Sequence, residues 1–269
     1  MDLGTIEDVV IPDGRSGLPP GHIDTAVMAG GTWLMSEKQD HLRRLVDITA
    51  LGWDPITVGD GLDIAATCTI EQLARARFDR DWPATVLFEQ CATALLASFK
   101  IWKVATVGGN ICLSLPAGAM ISMATALDGV AFVWSSDGAD YRIPVVDLVT
   151  GPHENALRIG DVVRSIELPD RALSARTAFR KTALSPLGRS AAVVIGRMDL
   201  DGRFVLSVTA ATTRPYVFRF PTPPRPAELV STLAEGIPGA AWYDDPHGAP
   251  DWRRHISLQS AQEILEELT

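Results

Sequence analysis

Two loops with adjacent glycines, Ala29-Gly-Gly-Thr-Trp-Leu34 and Ala105-Thr-Val-Gly-Gly-Asn110, constrain this chain more than any other feature. Paired glycines permit positive φ and let the backbone come close to a ligand or to another stretch of chain. In the second loop Asn110 can donate and accept at once, which suits a buried polar ligand such as a phosphate or a heterocycle. Neither loop is Gly-x-Gly-x-x-Gly, and neither carries the Gly-Lys-Ser/Thr of a phosphate-binding P-loop, so neither matches a Rossmann or P-loop fingerprint. Taken singly, each pair is most simply a tight turn. Together, flanked by Ala29, Thr32, Ala105 and Thr106, they are expected to expose backbone N–H groups of the kind that holds a diphosphate without a positive side chain. Thr67 and Thr69 add two hydroxyls at a strand end, which read equally as a helix cap or as a polar ligand contact.

Charge narrows the ligands. The 269 residues hold 24 basic against 33 acidic side chains, a net −9 with no basic cluster, which argues against nucleic acid or anionic lipid as the main partner. The first residues have neither a positive nor an apolar targeting segment, and no window holds eighteen uninterrupted apolar residues, so a cytoplasmic protein is expected. Cys68, Cys91 and Cys112 match neither a paired Cys-x-x-Cys metal site nor an iron–sulfur run and read as reduced core thiols. The five histidines lack His-x-x-x-His spacing, and Ser185 and Ser190 lack the Gly-x-Ser-x-Gly elbow of a hydrolase. No metal site and no catalytic nucleophile are expected.

Along the chain, residues 1–22 read as an irregular arm. Thr25–Ala29 and Leu45–Thr49 read as strands, and Asp60-Gly61 and Asp201-Gly202 mark hairpins. Thr69 is placed to cap a helix over Ile70–Ala76, and Pro83 to start one that runs to about Lys100. A further apolar helix is expected over Ala117–Leu127, then a hairpin through Val130–Trp134 and Tyr141–Ile143, then a strand ending at Pro169. Beyond it the pattern changes to three antiparallel strands (178–184, 191–200, 204–211) and two amphipathic helices (227–234, 258–268). The expected domains are therefore 1–169 and a small α+β domain over 170–269.

The ordered set Ala29-Gly-Gly-Thr-Trp-Leu34, Leu45-Val-Asp-Ile-Thr49, Ile64-Ala-Ala-Thr-Cys-Thr69, Ala105-Thr-Val-Gly-Gly-Asn110 and Pro116 resembles the FAD-binding medium subunit of molybdenum hydroxylases, the carbon monoxide dehydrogenase and xanthine dehydrogenase family. The likeness extends to Arg164-Ser-Ile-Glu-Leu-Pro169, Phe179-Arg-Lys181 and Trp252-Arg-Arg254, and so to nearly the whole chain from Met28. It implies an α+β architecture: a two-subdomain FAD-binding fold of the vanillyl-alcohol-oxidase type over 1–169, split near residue 78, followed by a small domain with a three-stranded antiparallel sheet and helices. It implies FAD as a non-covalent cofactor, with Met28, Ala29, Gly30, Gly31, Thr32, Trp33 and Leu34 wrapping the diphosphate together with Thr106, Val107, Gly108, Gly109 and Asn110. Leu96, Val163 and Arg180 or Lys181 complete the implied cofactor-binding set, and Thr67 and Thr69 join it as the polar contacts offered by the strand end.

Such a subunit takes electrons from an iron–sulfur subunit, beside a molybdopterin subunit that oxidises the substrate, and passes them to an external acceptor such as NAD, oxygen or a quinone. Alternatives from the same residues are a FAD-free scaffold subunit of such a complex and a stand-alone flavin oxidoreductase. Two departures stand out. Ala119 occupies the position, nine after Asn110, where relatives place an acid that accepts from a ribose hydroxyl, and the Pro-rich start replaces a regular strand and helix.

Overall fold

The computed structural model describes residues 3–269. Three sheets of three to five strands follow one another along the chain, and a two-stranded hairpin makes a fourth. Strands β1 (Asp8–Val10), β2 (Thr25–Met28) and β3 (Arg44–Asp47) form a small parallel sheet in the order β1-β3-β2. β3 is central, and its Leu45 and Val46 are buried. The arm over 1–22 is thus not wholly irregular. Its Asp-Val-Val strand pairs with β3, and a single 3-10 turn over Arg15–Gly17 stands where a helix is usual, because Gly14, Gly17 and the prolines beyond it prevent propagation.

The second sheet opens with β4 (Ile56–Val58) and β5 (Gly61–Ala65), the hairpin marked by Asp60-Gly61, and it has five strands, β5 being followed across the sheet by the strands over Val162–Pro169, Val130–Trp134 and Tyr141–Pro144. The change of sheet therefore falls between Asp47 and Ile56, earlier than residue 78. Helices α1 (Ile70–Arg75), α2 (Val86–Ala94), α3 (Phe99–Trp102), α4 (Val107–Cys112) and α5 (Ala119–Ala126) follow β5. The strand pair β6 (Val130–Trp134) and β7 (Tyr141–Pro144), the short helix α6 (Val145–Leu148) and the small hairpin β8 (Val149–Gly151) and β9 (Glu154–Asn155) lead to β10 (Val162–Pro169).

The expected long helix from Pro83 divides. A 3-10 turn over Pro83–Thr85 opens it, α2 ends at Ala94, Leu96 takes a left-handed φ of 53°, and Ser98 starts α3 by accepting from the Ile101 N–H at 3.4 Å. The serine cap outweighs the helical spacing of the apolar residues around it. At the second glycine loop the outcome is the opposite: the expected turn is a short helix, α4, with Thr106 as its cap.

After α7 (Asp170–Leu173), strands β11 (Arg176–Thr182), β12 (Ala192–Met198), β13 (Phe204–Thr209) and β14 (Tyr216–Phe220) make an antiparallel sheet backed by α8 (Pro226–Gly236) and α9 (Pro250–Leu268). This sheet has four strands, not the three expected. Pro215 and Pro221 bracket β14 and mask its alternation, yet proline is compatible with the ends of an edge strand. α9 likewise starts eight residues before the expected Leu258, so Trp252-Arg-Arg254 lies in its first turns. Arg253 is buried there, donating to the carbonyls of Ala191 at 2.6 Å and of Ala210 and Gly248 at 2.8 Å.

The core runs through the junction between the second and third sheets. α5 is buried along its length, and its neighbours include Val193 and Ile195 of β12. On β11 and β12 the faces alternate as a pleat requires. Phe179, paired with Ile195, packs into this shared core, whereas Ala178, Val194 and Ala192 pack into a second core under α8 and α9. No helix among the described residues is long and apolar enough to cross a membrane.

Candidate functional site

Gly30 brings the two glycine loops together. A Cβ built on it would stand 2.0 Å from the Val104 carbonyl oxygen and 3.1 Å from the Ala105 Cα, so only glycine lets the first loop lie on the backbone leading into the second. Gly31 follows with φ +64°, the left-handed turn that carries the chain away from β2. Between the loops lies a cleft of about 250 Å³ lined by Val27–Leu34, Ala105, Thr106, Gly109, Asn110, Cys112 and Leu113.

In the second loop the glycines serve close approach rather than positive φ. The Thr106 hydroxyl accepts from the Gly109 N–H at 3.1 Å and so caps α4. A Cβ on Gly108 would lie 2.4 Å from the Ala66 Cβ and 2.8 Å from its Cα, because α4 rests directly on the turn after β5. That turn is stitched to α4: Val107 N donates to Cys68 O at 2.9 Å, Gly108 N to Ala66 O at 3.0 Å, and Ile70 N to Ala105 O at 2.9 Å. Asn110 N donates to Thr106 O at 3.0 Å. The amides of Val107 to Asn110 are therefore all committed inside the protein, and the expected exposed nest is absent from this loop.

The first loop is the one that offers donors. Among the described residues the N–H groups of Gly30, Gly31, Thr32, Trp33 and Leu34 have no protein acceptor, while the Trp33 carbonyl accepts from Ser36 N at 2.9 Å and from Ser36 Oγ at 3.0 Å. A run of unpaired amides on a glycine turn matches the oxygens of a diphosphate. The second loop supplies the facing wall and two side chains, Thr106 and Asn110. Asn110 Oδ1 accepts from Met120 N at 2.9 Å, tying α4 to the start of α5, so its Nδ2 donors are the part left for the cleft. Among the described residues no acidic or basic side chain lines this cleft.

The other residues singled out from the sequence are distributed around it. Thr69 is a helix cap: its hydroxyl takes Gln72 N at 3.1 Å and its own N–H donates to Gln72 Oε1 at 2.8 Å, a capping box. Thr67 is half-buried in the turn on which α4 rests. Leu96 is 37% exposed in the α2–α3 connection, and Val163 is buried in β10 opposite Val133; neither lines the cleft. Arg180 and Lys181 part company. Arg180 turns to α9 and pairs with Glu263 at 3.1 Å and Glu267 at 2.7 Å, whereas Lys181 is opposite Val193, on the sheet face that packs toward the second sheet. Desolvation lowers the Lys181 ammonium pKa. Ala119 is 3% exposed at the first turn of α5, within the core.

Three lining residues, Val27, Cys112 and Leu113, are not among the binding residues expected from the sequence, whereas Ala105 is expected there as a flank of the second loop. The signal for two of them is helical: Gly109, Cys112 and Leu113 stand at i, i+3 and i+4, one face of a helix that the paired glycines made resemble a turn. All three cysteines are free thiols, and burial pushes Cys112 and Cys68 up to about 12. Among the described residues no group of His, Cys, Asp and Glu side chains has the arrangement of a metal site.

Comparisons with known proteins give the family and the fold. Residues 19–171 match the family model for the FAD binding domain in molybdopterin dehydrogenase. No curated protein matches the sequence. Among solved structures, a reconstituted CO dehydrogenase from Oligotropha carboxidovorans superposes with a TM-score of 0.84 at 19% identity, over 100% of this chain and 99% of that one. Quinoline 2-oxidoreductase from Pseudomonas putida 86 gives 0.80 at 17% identity, over 100% of this chain and 98% of that one. Carbon monoxide dehydrogenase from Hydrogenophaga pseudoflava gives 0.80 at 16%, over 98% of this chain and 97% of that one. At these identities the structural likeness speaks for the fold, while the family model covers more than half of the chain. With FAD as the cofactor, the chain belongs to the FAD-binding domain family of the molybdopterin dehydrogenases, the flavoprotein component of an oxidoreductase.

Proposed function

We propose that this chain is the non-covalent FAD subunit of a heteromeric molybdenum hydroxylase, and that it accepts electrons from an iron–sulfur partner subunit and delivers them to an external acceptor. The observation that carries the reading is the row of unpaired amides from Gly30 to Leu34 facing Thr106 and Asn110 across one cleft. Bound there, FAD supplies a two-electron store between single-electron carriers and the acceptor. The chain's own part is binding: amides on the phosphates, Thr106 and the Asn110 amide on the opposite side, and Lys181 on the sheet face that looks toward the flavin domain. A molybdopterin subunit, with the substrate specificity, completes the proposed complex in the cytoplasm. Support comes from the solved relatives, which are a carbon monoxide dehydrogenase and a quinoline oxidoreductase matched over nearly their whole chains.

Protein co-expressed with the genes around its own should purify with stoichiometric FAD, a flavin absorbance band and two further subunits. A colourless preparation that neither retains nor takes up added FAD would overturn the proposal.

A further inference from the structure

The amide row is held on one side by Gly30 lying on Val104. Its other side meets a residue from a distant part of the chain. The Trp33 ring lies 5.4 Å from the ring of His153, centroid to centroid, with the planes at 39°. His153 is at the tip of the β8–β9 hairpin, in the left-handed region with φ 62°. Two hydrogen bonds fix that tip to the end of α4: His153 N donates to Ser114 O at 3.0 Å, and Asn155 Nδ2 donates to Cys112 O at 2.8 Å. Since α4 also carries Asn110 and the facing wall of the cleft, the hairpin ties the position of Trp33 to that wall.

We propose that His153 is a positioning residue for the cofactor cradle: its imidazole packs on Trp33 and so holds the amides of Gly30–Leu34 at the spacing from α4 that a dinucleotide diphosphate needs. The inference rests on the FAD reading of the cleft, and it adds a residue outside the cleft lining. The rigid reference on the His153 side is the pair of backbone-anchored bonds. The movable side is the loop, whose five amides have no internal partner to keep them in place. A tilted aromatic pair is of the right strength for the task, enough to bias a loop without freezing it.

The test is a double-mutant cycle on the full chain with FAD as the titrant, read by quenching of flavin fluorescence. His153→Gly removes the ring at a position whose φ favours glycine, so the fold should be unaffected. The expected result is FAD affinity lower by about three- to tenfold in His153→Gly and by about tenfold or more in Trp33→Ala, with the double variant no weaker than Trp33→Ala alone. Trp33→Phe, which keeps a ring for His153 to meet, should stay within about threefold of the wild type. Equal affinity in wild type and His153→Gly, or a loss from His153→Gly that persists undiminished when Trp33 is already alanine, would overturn the inference. A second readout needs no cofactor: the emission of Trp33, taken as the difference between wild type and Trp33→Phe, should shift when His153 is replaced. If the wild type binds no FAD yet that shift occurs, the function proposal fails while the Trp33–His153 coupling stands; if FAD binds and the shift is absent, the coupling fails alone.

Discussion

Three glycines of the two loops look interchangeable in sequence and differ in what surrounds them. A methyl carbon added to Gly30 or Gly108 would meet backbone or a rigid alanine at 2.0 Å and 2.4 Å, whereas one added to Gly109 would meet only the Thr106 hydroxyl, at 2.9 Å. Replacing either of the first two with alanine must push two chain segments apart, a change of the overpacking kind that costs about 1–3 kcal/mol. We therefore expect Gly30→Ala and Gly108→Ala to lower the urea midpoint and to bind FAD at least tenfold more weakly. For Gly109→Ala the helix preference for alanine, about 1 kcal/mol, opposes the crowding of the cap, and stability should change by less than that amount. Asn110 separates its two functions by atom. Oδ1 holds Met120 N, so Asn110→Asp keeps that bond and adds a negative charge in a cleft meant for a diphosphate. The expected outcome, checked by thermal melting and FAD titration together, is an unchanged melting temperature with strongly reduced flavin binding. Asn110→Ala should lose both.

At the level of elements, the cap on α4 decides how the second loop is presented. Thr106→Ala removes the acceptor for Gly109 N and should cost about 1 kcal/mol of stability, with Thr106→Ser retaining it, measured by denaturant unfolding. The sequence made this loop visible as a ligand site and hid its helical form, because two glycines weigh against a helix and only the capping bond and the contact with Ala66 overcome them. Local chemistry was readable wherever it sufficed. The Asp60-Gly61 and Asp201-Gly202 hairpins and the Thr69 capping box occur where turn and cap residues put them. What depended on distant partners was not readable: β1 exists through its pairing with β3, β14 through its pairing with β13, and the start of α9 through a buried Arg253 bonded to carbonyls of Ala191 and Ala210. The same limit explains the site. Arg180 and Lys181 are neighbours in sequence, yet the pleat sends one to α9 and the other to the opposite face, and only the paired strand shows which.

At the scale of the whole molecule, one carboxylate joins the flavin-binding part to the C-terminal sheet. Asp128 follows α5 with φ 53°, and its side chain is 6% exposed. Arg197 of β12 reaches Oδ2 at 2.6 Å and also donates to Ala126 O at 2.7 Å and to Asp199 at 2.7 Å. Arg171 meets Oδ2 at 2.6 Å, and Arg219 of β14 forms an ion pair with Oδ1 at 2.6 Å. Burial alone would raise the Asp128 pKa, but the charge and hydrogen bonds of Arg197, then of Arg219, outweigh it and hold the carboxyl at about 2. A folded-state value below the ordinary 3.8 means that this contribution is fully present above about pH 4 and disappears as pH falls through 4 toward 2. Its size, on the order of 2 kcal/mol, is comparable with a large fraction of a domain's margin. Asp128→Asn tolerates the left-handed backbone, keeps the shape and removes the charge, leaving buried Arg197 with Asp199 as its only carboxylate partner. At pH 7 it should lose about 3 kcal/mol, and between pH 4 and pH 2 its stability should fall less steeply than that of the wild type. Urea unfolding at a series of pH values measures both; parallel curves for the two proteins across that range would show that the clasp does not couple to the acid transition.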